Sequence, residues 1–197
     1  MENNKKLTQK DLITIGVFTA LYLGVVIVIS GLTLTPVLQY LMVPIAALLT
    51  APIYLLYLAK VQKFGAILIT GVISSLLVGL LVYANPYCAM VNMAFFILAE
   101  IIAYIGKYKS DKLNNLSFIV CTFWALGEMG LPWVAGQYFY DLSIKSGYSV
   151  EWAEGVKLLA TPMNLVWMIL GTVVCAIISI LFAKNIFKKH FKKAGII

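Results

Sequence analysis

The chain has 197 residues, 62% of them hydrophobic and only 12% charged, and its mean hydropathy is +0.95. A soluble domain is usually about 45–50% apolar and about 25% charged, so a soluble enzyme and a disordered tail are both excluded. All 15 basic residues are lysine, and with eight acids the net charge is +7.

About 20 apolar residues cross the hydrocarbon core as a helix. Six stretches meet or approach that length: 12–32, 36–58, 64–83, 89–106, 116–138 and 162–183. The expected fold is an all-α integral membrane protein, a six-helix transmembrane bundle forming one domain over 1–197, with 184–197 as a basic cytoplasmic tail. The leading MENNKKLTQKDL does not read as a cleavable signal, because the apolar run after it is too long and no small-residue cleavage pattern follows. Thr8 or Asp11 is the expected cap of the first helix.

In the first span, Gly16, Ala20 and Gly24 are spaced by four and share one face. Small side chains let another helix approach closely, so this row either packs inside the bundle or docks a partner near the inner leaflet. In the second span Pro36 suits a helix start, whereas Pro44 and Pro52 remove backbone hydrogen bonds and would kink or hinge it. Gly65, Gly71, Ser74, Ser75 and Gly79 in the third span read as internal packing. The fourth carries Glu100 in its inner part, where a neighbouring helix or a partner is the expected contact.

Glu128 lies near the middle of the fifth span. An ionised group there costs roughly 2.5–3.5 kcal/mol on insertion scales, so it should face the interior, be protonated, or pair with a donor. It touches a substrate or makes a structural hydrogen bond. Three rows mix aromatic and amide groups at similar depth: Asn92, Met93 and Phe96; Trp133, Gly136, Gln137 and Tyr140; and Asn164, Trp167, Met168 and Gly171. Asn85, Tyr87 and Cys88 stand just above the first row. Apolar walls with a few placed polar groups describe a small-molecule site. The expected binding residues are therefore Asn85, Tyr87, Asn92, Met93, Glu128, Trp133, Gln137, Tyr140, Asn164 and Trp167. An interfacial aromatic belt is the alternative, but a belt does not need Asn92, Gln137 and Asn164 inside the spans. Residues 139–161 make a long connection; Tyr148, Trp152 and the turn at Gly147 form a lid, or the segment is a plain surface helix.

Cys88, Cys121 and Cys175 are odd in number and lack CxxC spacing, which reads as small buried residues without disulfide or metal. His190, the one histidine, sits in the tail, where Ile186, Phe187 and Phe191 alternate with lysines. That tail lies on anionic lipid or is a solvated helix end. Thirteen of the fifteen lysines fall in the amino terminus, the 60–63 turn, the loop KYKSDKLNN and the tail; the other connections hold only Lys145 and Lys157. The positive-inside rule then puts both termini in the cytoplasm of a plasma-membrane protein. Lysines set between apolar runs do not make the basic face that nucleic acid requires. No Walker motif is present, so uphill transport would draw on partner subunits or an ion gradient.

This layout resembles the substrate-binding subunits, or S-components, of energy-coupling-factor (ECF) type ABC transporters. GVFTALYLG at Gly16–Gly24 is similar to their alanine-rich helix-one motif, although Gly16 departs from the usual Ala. With GEMGLPW, the chain looks most like the Trep_Strep family within that group. The resemblance implies that Gly16, Ala20 and Gly24 dock onto a transmembrane coupling subunit joined to two ATPase subunits. It also implies that the outer ends of helices four to six bind a micronutrient, and that the subunit topples to release it inside. ATP would be used by the partner subunits only, with no covalent cofactor and no catalytic residue in this chain. The dense Trp, Tyr and Met favour a flat or partly apolar ligand, vitamin-like or haem-like. Nickel or cobalt is disfavoured by the lack of outer histidines. The competing readings are an intramembrane lipid-modifying enzyme using Glu128 and Glu100 as acid–base groups, a non-catalytic scaffold, and an ion-coupled carrier, for which no inverted repeat is evident.

Overall fold

The structure, a computed structural model, describes residues 6–31 and 34–188. Lys5, Leu32, Thr33, His190, Phe191 and the rest of 189–197 lie outside the described residues. Among the described residues every regular element is helical.

Helix α1 spans Gln9–Ser30. Its start uses both candidate residues: Thr8 Oγ1 accepts from the Asp11 N–H, and the Asp11 carboxylate accepts from the Thr8 N–H at 2.8 Å, a reciprocal capping box. Helices α2 (Pro36–Lys60), α4 (Pro86–Ile105) and α10 (Pro162–Ile186) begin alike. Thr35, Asn85 and Thr161 each accept a first-turn N–H, and the proline that follows has φ already set and no N–H to leave unpaired. Pro44 and Pro52 sit inside α2 without ending it. These four helices are each long and apolar enough to cross a bilayer.

The other two expected spans differ. Helix α3 (Ala66–Ser74) runs on as a π-helical stretch, Ser75–Val82, so the unit Ala66–Val82 is shorter than the four long helices. The 116–138 stretch is not one helix. It consists of α5 (Asp111–Thr122), a 3-10 turn at Phe123–Ala125, α6 (Leu126–Met129) and α7 (Leu131–Val134). The path then breaks at Ala135, with φ −142°, before α8 (Gly136–Lys145). Gly127 and Gly130 are poor helix formers, and Pro132 has no N–H to return to the carbonyl four residues earlier. Helix α9 (Val150–Leu159) follows a turn in which Gly147 has φ +91°, a conformation natural to glycine.

Helix α10 packs along α2, α1 against α2 and α3, and α4 against α3 and α5. Small residues set the closest approach: a Cβ on Gly71 would lie 2.6 Å from Phe96 Cβ, and one on Gly79 would lie 2.6 Å from the Ala89 nitrogen. The outer surface is apolar, with Val28 71% and Leu81 74% exposed, which water would not tolerate over such an area. Gly16, Ala20 and Gly24 all face outward. A Cβ built on Gly16 or Gly24 meets nothing within 4 Å, so this row takes no part in packing the bundle.

One end of the bundle is basic. Lys63 pairs with Asp11 at 2.6 Å and Lys184 with Asp111 at 3.3 Å, bringing the starts of α1 and α5 to the α2–α3 turn and the end of α10. Glu100 belongs to this end. It accepts from the Leu68 N–H at 3.1 Å and from the Tyr108 hydroxyl. It thus caps the first turn of α3, where Gly65 offers no side chain to do so, and its contact is a neighbouring helix.

Candidate functional site

At the opposite end the helices enclose a cavity of about 370 Å³. The last turns of α1 contribute Val26, Ile27 and Ser30, and the start of α2 contributes Gln39 and Met42. The π-helical stretch adds Val78 and Val82, with Tyr83 just after it. Trp124, Ala125, Glu128 and Met129 come from the broken segment, and α8 supplies Phe139, Leu142 and Ser143, with Ser146 just after it. Tyr148 and Trp152 also line the cavity. They stack on each other, centroids 4.1 Å apart at 25°, so the two residues expected as a lid do border the cavity.

The acid sits where the chain is least regular. Glu128 is 1% exposed, and its Oε1 accepts from Asn92 Nδ2 at 2.6 Å. That contact depends on Gly127: a Cβ there would lie 2.6 Å from the Cys88 carbonyl oxygen, so α4 and the broken segment meet almost backbone to backbone. Gln39 is also buried, its Nε2 directed at Met129 Sδ at 3.3 Å, a weak acceptor. Trp124 donates its indole N–H to the Tyr22 hydroxyl at 3.0 Å, which fixes that wall to α1. Among the described residues no lysine lines the cavity, and no group of three or more His, Cys, Asp or Glu could hold a metal ion. The arrangement is one carboxylate and one amide set among aromatic walls, which suits a small solute held by one or two directional contacts.

Of the ten residues expected to bind substrate, the structure places Glu128 on the wall and Asn92 directly behind it. The other eight lie elsewhere. Asn85 caps α4 through the Tyr87 N–H at 2.9 Å, while Tyr87 is exposed and Met93 half-buried away from the cavity. Trp133 donates to the Thr161 carbonyl at 2.8 Å and meets the Tyr40 ring edge-on. Gln137 bridges Asp141 and Lys157, and that lysine also lies over the Tyr140 ring. Asn164 donates to the Leu159 carbonyl, closing the end of α9. Trp167 is 64% exposed, as an interfacial belt residue would be. The walls therefore come from α1, α2, the π-helical stretch and α8–α9 together with the fifth expected span, which supplies Trp124, Ala125, Glu128 and Met129.

Gln39, Tyr83, Trp124 and Ser143 were not among the expected residues. Two of them carried a signal. Gln39 is the one amide in an otherwise apolar helix, and Trp124 lies mid-span, where a belt residue has no reason to be.

A family model described as "Hypothetical bacterial integral membrane protein (Trep_Strep)" matches residues 9–193. No curated protein and no solved structure matches the chain.

Proposed function

We propose that the chain, which belongs to the Trep_Strep family of bacterial integral membrane proteins, is the substrate-binding S-component of an ECF-type ABC importer. In this reading it crosses the plasma membrane six times: by α1, α2, the Ala66–Val82 unit, α4, the interrupted α5–α7 segment and α10. Helices α8 and α9 cap the outer end. Both termini are cytoplasmic, because the lysine-rich turns share one end and the cavity occupies the other. The chain captures a micronutrient in that cavity and passes it on through a coupling subunit. It catalyses no reaction itself, holds no covalent cofactor, and leaves ATP hydrolysis to two partner ATPases.

The observation that carries the reading is the outward face of α1. A row of small residues inside a bundle is explained by packing, but here Ala20 is exposed and a Cβ on Gly16 or Gly24 would meet nothing within 4 Å. In lipid, helix association is driven largely by close van der Waals fit, and a flat glycine-alanine strip on an exposed helix provides it to a second protein. The same helix lines the cavity in its last turns through Val26, Ile27 and Ser30, so docking and loading meet on one element.

Co-expression with a coupling subunit and its two ATPases tests the proposal. The chain should co-purify with them, and the combined Gly16→Leu, Ala20→Leu and Gly24→Leu variant should not, while keeping the thermal stability of the parent because these positions are open. Equal recovery of the variant in the complex would overturn the reading.

A further inference from the structure

We propose that the cavity selects a small, flat aromatic solute bearing a cationic or N–H-donating group, which seats on Glu128, and that it discriminates against aromatic carboxylates. This rests on reading the cavity as the substrate site and names the chemistry of its guest.

The inference starts from an imbalance. Glu128 is buried, its carboxylate accepts from the neutral amide of Asn92, and no lysine borders the cavity among the described residues. A buried charge is costly unless it is paired. Here the protein supplies the acid and an open space beside it but no cation. A guest with an ammonium, amidinium or ring N–H completes the pair; a guest with its own carboxylate places like charges together in a poorly screened site. The walls fix the rest of the shape. Trp124, Phe139 and the Tyr148–Trp152 stack present ring faces and edges, which attract flat rings and, through their quadrupoles, cations. Gln39 adds an amide, able to donate and accept, elsewhere on the same wall.

The test uses the purified full chain in lipid nanodiscs and three probes with one ring and nearly one shape: benzamidine, benzyl alcohol and benzoate. Binding is read by tryptophan fluorescence, since Trp124 and Trp152 border the cavity, and by calorimetry. Benzamidine should bind at least about tenfold more tightly than benzoate, a gap of about 1.4 kcal/mol, with benzyl alcohol between them. Glu128→Gln keeps an acceptor for Asn92 and should shrink the gap to within about threefold, since it removes the charge and little else. Benzoate binding as tightly as benzamidine, or a gap unchanged in Glu128→Gln, would overturn the inference. The three-probe order in the parent decides the matter even if the variant does not fold. Failure of all three probes in a chain that still assembles with a coupling subunit sinks the ligand class and spares the S-component reading. The expected order in a chain that never assembles does the reverse.

Discussion

Gly127 holds a place that nothing larger can take. A methyl group there would press on the Cys88 carbonyl and on the Asn92 side chain, the same amide that positions the Glu128 carboxylate. Overpacking a tight site costs about 1–3 kcal/mol, and here the strain falls on the Cys88 backbone and on the buried Asn92 amide, which is held by its bond to Glu128. Gly127→Ala should therefore lower the thermal stability of the purified protein and also weaken solute binding, because α4 cannot shift without carrying Asn92 away. An alanine variant as stable as the parent would mean that the two segments are not in contact. Glu128 was legible in the sequence because an acid in mid-span demands an explanation. The role of Gly127 was not, since a glycine beside it looks the same whether it packs, turns or does neither.

At the scale of elements, the α8–α9 cap is held by side chains from the long helices. The Tyr40 hydroxyl of α2 donates to the Val156 carbonyl at 2.6 Å, near the end of α9, where helical carbonyls lack internal partners. A Cβ on Gly155 would lie 2.7 Å from Pro36, so α9 also rests directly on the start of α2. Removing the donor leaves a buried acceptor unsatisfied, which costs about 1–3 kcal/mol. Tyr40→Phe should accordingly raise amide exchange across 150–160 while α2 itself stays protected; unchanged exchange there would show that the bond does not hold the cap. The long helices could be read from hydropathy because lipid imposes length and apolarity on them. The breaks in 116–138 could not. The stretch is mostly apolar on both sides of Glu128, and the local geometry of two glycines and a proline interrupts the helix. That affects the site: a row drawn on a continuous fifth helix pointed Trp133, Gln137 and Tyr140 at one pocket, whereas Trp133, ahead of the break at Ala135, bonds the Thr161 carbonyl, and Gln137 and Tyr140, after it, meet Lys157.

The whole molecule is polarised, with acids and lysines paired at one end and an aromatic cavity at the other. A subunit that collects a solute outside and hands it on inside needs that polarity to match the membrane. Lysine is costly to translocate in short loops, so the lysine-rich turns should remain cytoplasmic and the α8–α9 cap should face out. Single-cysteine variants read this directly, because Lys109 and Lys145 are exposed at the two ends and the native Cys88 and Cys121 are buried. With Cys175 also replaced, a membrane-impermeant maleimide added to intact cells should label Lys145→Cys and leave Lys109→Cys unlabelled until the membrane is permeabilised. The opposite pattern would put the cavity on the cytoplasmic side. Uptake from outside would then be impossible by this architecture, and the outward face of α1 would need a different partner.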